Sequence, residues 1–283
     1  MECGEIRTLR KSKPVKMLFQ IKQSVPRSGN DTLLCEWGER YCCYTVYNQE
    51  SRSLTGLHYF TFDQPASIEE VEDVIRQFKS EGLRYSRVVF CSGFPQALLI
   101  PRQLFSEDPS PVAQLTGEKS MKYFHDPIGE WQVVNNYAFP RSIYERMTDE
   151  FGPVEMSHVY STSLKTYNGH SFETQVAVDF TPKNFRVVVK RGGQILLAQM
   201  YGYNTPLDVA YYLLRIYQEL HLPKEETHLV LSGLIEEVSA LYRDLFSYFL
   251  NIHIVEPTPI AATQSEYPAH FFASIYNLAL CVS

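Results

Sequence analysis

The chain has 283 residues, 45% of them hydrophobic and 20% charged, with a formal net charge of −6. This is ordinary globular composition, long enough for a core split between two lobes, and it lacks the dense positive surface a nucleic-acid partner would require. No apolar run approaches the roughly 20 residues of a membrane-spanning helix, and none of the six cysteines forms a CxxC pair. The expected setting is therefore reducing and cytoplasmic, without zinc, nucleic acid or a membrane span.

Residues 1–15 form a basic tail carrying Arg7, Arg10, Lys11 and Lys13. The apolar stretch that follows it is too short for a signal-peptide core. KMLFQIKQ, from Lys16, reads as an edge strand, and the run from Ser24 to Thr32 as a loop rich in Pro, Gly, Asn and Asp. Three strands are predicted next, starting at Thr32, Arg40 and Leu54. Ser67 and Glu70 make a capping box for a helix whose apolar stripe is Val71, Val74, Ile75 and Phe78, and Gly82 stops it. SRVVFC (Ser86–Cys91) is a buried strand ending in the turn Ser92-Gly93.

The second half repeats this order. Strands begin at Thr174, Phe185 and Gln194, and Gly192-Gly193 between the last two is a hairpin signal because both residues tolerate positive φ. Thr205-Pro206-x-Asp208 opens a helix with a cap, a proline at its first position and an acid in its first turn. Val209, Leu213, Ile216, Tyr217 and Leu220 form its stripe. HLVLSG (His228–Gly233) is a strand whose Ser-Gly end matches Ser92-Gly93. A helix over 235–249 with Glu236 and Glu237 at its start, the strand IHIVEP from Ile252 and a last helix over FFASIYNLALCV complete the chain. The unit strand-strand-strand-helix-strand thus occurs twice, and overlaying the halves puts Glu36 on Asp179. Residues 96–167 exceed what one connection needs and read as an elaboration of the first half.

A three-stranded meander, a crossover helix and further parallel strands resemble the ribonuclease-H-like unit, and two in tandem resemble the actin-like ATPase architecture. LLIPRQLF (Leu98–Phe105), VVNNYAFP (Val133–Pro140), the run Ala177–Tyr203 and LSGLIEEVSALYRDLF (Leu231–Phe246) resemble more closely a bacterial family of unknown function assigned that fold. The resemblance implies an α/β fold with two lobes, each a mixed, five-stranded-type sheet with flanking helices. The first lobe would cover 16–170, with the elaboration at 96–167, and the second 171–283.

Actin-like ATPases hold phosphate and metal between two hairpins, one per lobe, each turning on an acid, a spacer and a glycine. The acid holds the metal's hydration shell, and the glycine lets backbone N–H groups approach phosphate oxygens. A third loop with two glycines lies against adenosine. On this pattern the candidate nucleotide contacts are Glu36 and Gly38 in the first hairpin, Asp179, Thr181 and Lys183 in the second, and Ser232 and Gly233 at the adenosine loop, with Asp179 the candidate metal ligand. Each departs from the pattern. Thr181 replaces the second glycine, Pro182 removes a donor, Glu39 adds a carboxylate beside the first hairpin, and Ser232-Gly233 keeps one glycine of two.

Bland readings stand beside these. Asp179 also fits a strand-end acid capping its own loop, Glu36 a solvated turn acid, and Gly233 a plain strand-to-helix turn. His158, beside Met156 and Val159, fits a packed or capping histidine. No P-loop, dinucleotide or HExxH motif is present, and no catalytic residue is assigned. The sequence therefore points to a degenerate actin-like-fold binding or assembly module without ATP hydrolysis or cofactor. Its partners would be proteins, and a homodimer is open. The alternative is a working ATPase or kinase that binds ATP with magnesium in the cleft.

Overall fold

The computed structural model describes residues 15–21, 31–80, 85–107, 113, 120–166, 172–257 and 267–282. Strands β1 (Lys16–Ile21), β2 (Asp31–Gly38), β3 (Tyr41–Asn48), β4 (Ser53–Thr61), β5 (Arg87–Ser92) and β9 (Glu155–His158) form one sheet in the order β1-β4-β3-β2-β5-β9. Strands β10 (Thr174–Phe180), β11 (Asn184–Arg191), β12 (Gln194–Gly202), β13 (Thr227–Gly233) and β14 (Asn251–Ile254) form the second, in the order β12-β11-β10-β13-β14. Leaving out the edge strand β1, the two orders coincide strand for strand. In each sheet the meander is antiparallel and the last two strands run parallel to the first.

A third sheet, β6 (Ala97–Pro101), β7 (Met121–Ile128) and β8 (Val133–Pro140), is antiparallel throughout, in the order β6-β8-β7. It lies within the span read as an elaboration. That span also contains helix α2 (Arg141–Phe151), strand β9 and helix α3 (Val159–Lys165), and β9 completes the first sheet beside β5.

The helices form where the sequence caps them. The Ser67–Glu70 box is made in both directions at the start of α1 (Ile68–Ser80), with Ser67 N donating to Glu70 at 2.9 Å. The expected stop at Gly82 lies outside the described residues. Thr205 and Asp208 close the same motif at α4 (Pro206–Glu219). Gly192 and Gly193 both take positive φ, 54° and 76°, as the tight turn between β11 and β12 requires.

The helix expected over 235–249 starts later, as α5 (Ala240–Tyr248), because Ser239 accepts from Tyr242 N and caps it there. Ile235 and Ser239 instead make short backbone turns to Gly233 and Glu236, so Glu236 and Glu237 lie in a loop and not at a helix N-terminus. The strand predicted from Ile252 spans Asn251–Ile254 and stops short of Pro257. The last helix, α6, covers Ala273–Val282 and follows a 3-10 turn over Ala269–Phe272.

Side chains alternate across each strand, and this decides which residues meet. In β2, Leu33, Cys35 and Trp37 pack toward α1, whereas Leu34 faces the opposite way. In β10 and β11, Val176, Val178, Val187 and Val189 pack toward α4, whereas Val188 faces the first lobe. Leu34, Cys43 and Val188 belong to one buried cluster with Phe272, Ile275, Leu278 and Ala279 of the C-terminal segment. Helix α6 is therefore wedged between the sheets, and the core runs continuously from one lobe to the other.

Candidate functional site

The same alternation sets Glu36 of β2 beside Leu34, and Asp179 and Arg186 of β10 and β11 beside Val188, all on the faces that look at each other. Asp179 and Arg186 are directly paired across the hairpin. Arg186 is the point at which the lobes meet chemically. Its Nη1 donates to Glu36 Oε1 at 3.0 Å, and its Nη2 forms an ion pair with Asp179 Oδ2. Its side chain is 6% exposed, that of Glu36 3% and that of Asp179 20%. A guanidinium thus sits between the two acids that the overlay of the halves had matched.

Further hydrogen bonds reach both acids, whereas Arg186 Nε has no hydrogen-bond partner among the described residues. Tyr41 OH donates to Glu36 Oε1 at 2.5 Å, and Ser232 Oγ donates to Asp179 Oδ1 at 2.8 Å. Ser274, at the start of α6, lies 3.5 Å from Arg186 Nη1. Burial would lower the arginine, but the carboxylates of Asp179 and Glu36 more than reverse that and keep it firmly cationic. Burial raises the Asp179 carboxyl, against the opposing pull of Arg186. Burial also pushes the Tyr41 hydroxyl well above its ordinary value, so it acts as a neutral donor.

Each candidate from the sequence has a definite place here. Glu36 is not a solvated turn acid: β2 continues to Gly38, so Glu36 lies inside the strand and is turned toward the second lobe. Asp179 does not cap its own loop, because the strand runs on to Phe180 and Thr181 makes the turn. Thr181 Oγ1 donates to Asn184 O at 2.8 Å and accepts from Asn184 N. Lys183 is exposed on that turn and lines neither void described below.

A side chain at Gly38 or Gly93 would collide with the ring of Tyr41, which covers both backbones. Gly233, at φ 76°, packs on the backbone of Phe180, and Leu234 N donates to Phe180 O at 2.9 Å. It is a site of close chain approach, not a plain turn into a helix. The structure brings together Glu36, Asp179 and Ser232, and leaves Lys183 outside.

Two small voids lie between the lobes among the described residues. A void of about 20 Å3 lies beside Glu36, Tyr41, Thr181 and Gly233, and one of about 60 Å3 beside Asp179, Arg186, Ser232 and Asn277. A single water requires about 10–15 Å3 of such volume, and ligand pockets run to about 300–1,000 Å3. These voids are of the size that holds a few waters. Among the described residues no group of three or more His, Cys, Asp or Glu side chains is arranged to hold a metal.

Sequence reasoning missed Arg186, Tyr41 and the role of α6. Arg186 had a signal, since a charge inside the apolar strand FRVVVK needs a partner if that strand is buried. His158 fits its packed, capping reading. Its Nδ1 accepts from Tyr160 N at 3.1 Å at the start of α3, and its Nε2 lies 3.0 Å from Phe94 O. Burial lowers its pKa to about 3.

The sequence matches, over residues 22–252, the family described as "Protein of unknown function (DUF3822)". The chain belongs to that family. No curated protein matches it in sequence. In structure it is similar to a protein of actin-like ATPase fold and unknown function from Bacteroides thetaiotaomicron VPI-5482. That likeness has TM-score 0.73 at 18% identity, over 90% of this chain and 97% of that one. It is also similar to the PilM–PilN type IV pilus biogenesis complex, with TM-score 0.56 at 15% identity over 90% and 99%. The ethanolamine utilization protein EutJ from Carboxydothermus hydrogenoformans follows at TM-score 0.50 and 10% identity, over 92% of each chain. These likenesses establish the duplicated actin-like fold of this family member. No helix among its described residues is long and apolar enough to cross a membrane.

Proposed function

We propose that this protein is a binding or assembly module of actin-like fold that works in the cytoplasm through protein partners and does not hydrolyse ATP. The observation that carries the reading is Arg186, which supplies between Glu36 and Asp179 the positive charge that a nucleotide-bound metal ion would otherwise bring. Tyr41 over Gly38 and Gly93, and voids of only about 20 and 60 Å3, support it further. The similarity to the PilM–PilN complex supports a protein partner, and buried thiols at Cys35, Cys42, Cys43 and Cys91 suit a reducing compartment. The alternative, an ATPase or kinase using the same cleft, would require Arg186 to leave and α6 to shift.

A thermal-shift screen of ATP, ADP and GTP, with and without magnesium, tests the proposal. A ligand present at about 100 times its Kd stabilises by about 2.7 kcal/mol, which is readily seen. No magnesium-dependent shift is expected. A shift that vanishes in Asp179→Ala would replace the proposal with the ATPase reading.

A further inference from the structure

A groove of about 810 Å3 lies at the C-terminal end of β14, where that strand meets the loop after β13 and the segment before α6. One wall is the loop Glu236–Val238, the other is the segment Tyr267–Phe271, and the floor carries Ile254 and Val255 at the end of β14. Among the described residues β14 is an edge strand, paired only with β13. Val255 N donates inward to Leu231 O at 2.8 Å. Backbone groups alternate along a strand, so the amide of Ile254 points outward, where an added strand would pair.

Both walls are held in place from behind. His270 Nε2 lies 2.7 Å from Ile235 O, tying one wall to the other. Phe19 of β1 packs its ring edge against Tyr267, centroid to centroid 4.6 Å, and also contacts Phe271. The groove is thus pre-formed, and binding there need not first order its walls. Its chemistry is two-sided. Glu236, Glu237 and Glu256 are exposed along it, and among the described residues no Lys or Arg lines it. Val238 stands 77% exposed on the same loop.

We propose that this groove is a docking site for an extended peptide of a partner protein in which basic and apolar residues alternate. The peptide pairs its backbone with β14, sets apolar side chains on Ile254, Val238 and Phe271, and meets the three carboxylates with Lys or Arg. The acidic rim repels nucleic acid and anionic lipid surfaces, which leaves a cationic peptide as the complementary occupant. The proposal rests on the protein-binding reading above and adds the surface and the partner's chemistry.

The test is panning of a random twelve-residue phage-displayed peptide library on the full-length chain, followed by titration of the enriched peptides as synthetic free peptides. Enriched sequences alternate basic and apolar residues. Their affinity falls about tenfold or more in the double variant Glu237→Lys/Glu256→Lys and in Val238→Asp. All three substituted side chains are exposed, and an unchanged melting temperature verifies folding. Enrichment of no peptide family, of acidic or uncharged ones, or binding that survives both variants overturns the proposal. Sedimentation as a dimer that Glu237→Lys/Glu256→Lys converts to monomer assigns the groove to a second copy of the chain and also overturns it. A magnesium-ATP shift in the nucleotide screen defeats the non-ATPase reading alone and leaves this outcome separate.

Discussion

Replacing Arg186 by Met keeps the length of the side chain but removes the only cation bonded to both Glu36 and Asp179 among the described residues. Glu36 is left buried at 3% side-chain exposure, with Tyr41 as its remaining donor, facing a second carboxylate. Removing one partner of a buried ion pair costs about 3–5 kcal/mol, because the other charge stays desolvated and unpaired. At roughly 2–4 °C per kcal/mol for a domain of comparable size, the melting temperature falls by about 6–20 °C. The triple variant Glu36→Gln/Asp179→Asn/Arg186→Met removes all three charges and recovers most of that loss, since neutral replacements of buried ion clusters are often isoenergetic or better. Urea unfolding of the wild type and the two variants measures both quantities. A loss below about 1 kcal/mol for Arg186→Met, the scale of an exposed ion pair, or a triple variant no more stable than the single one, would refute the reasoning.

Four further outcomes are expected. Tyr41→Phe removes the neutral donor to Glu36 and costs about 1.5–3 kcal/mol, the range for a hydrogen bond to a buried charge, in the same urea assay. Gly233→Ala forces a methyl group into the backbone of Phe180 at positive φ and destabilises by on the order of 3 kcal/mol, measured by thermal melting. His158 is buried with its pKa lowered from 6.5 to about 3, so the unfolded chain binds a proton in that window that the folded chain does not. Stability therefore falls as pH drops below about 6, by up to about 1.4 kcal/mol per unit from this group, and His158→Gln flattens the profile measured by urea unfolding between pH 4 and pH 7. Lys183→Ala, which removes an exposed side chain, leaves stability within about 0.5 kcal/mol.

Much of the fold was legible because its signals are local. The two-glycine turn at Gly192-Gly193 and the capping boxes at Ser67 and Thr205 each carry their own physics. The late start of α5 was harder to read, since Ser239 as a cap competes with the equally polar run before it. The assignment of β9 to the first sheet rests on pairing with β5, far away in sequence, and EMSH has too few residues to announce a strand. The site was legible in half. Matching the repeats put Glu36 on Asp179, but the two were weighed as phosphate and metal contacts or as turn acids, and neither against Arg186. That Arg186 satisfies both follows only from the facing of two sheets, a long-range fact. The covering of Gly38 by Tyr41 depends on a rotamer that no spacing reveals.

The central claim is that an internal arginine occupies the charge position of a nucleotide-bound metal, and calorimetric titration of the wild-type protein with ATP in excess magnesium, paired with a phosphate-release assay, tests it most directly. The account predicts neither saturable heat nor phosphate release above the protein-free control at millimolar ATP. Saturable, magnesium-dependent binding with release of phosphate, both abolished by Asp179→Ala, would contradict it.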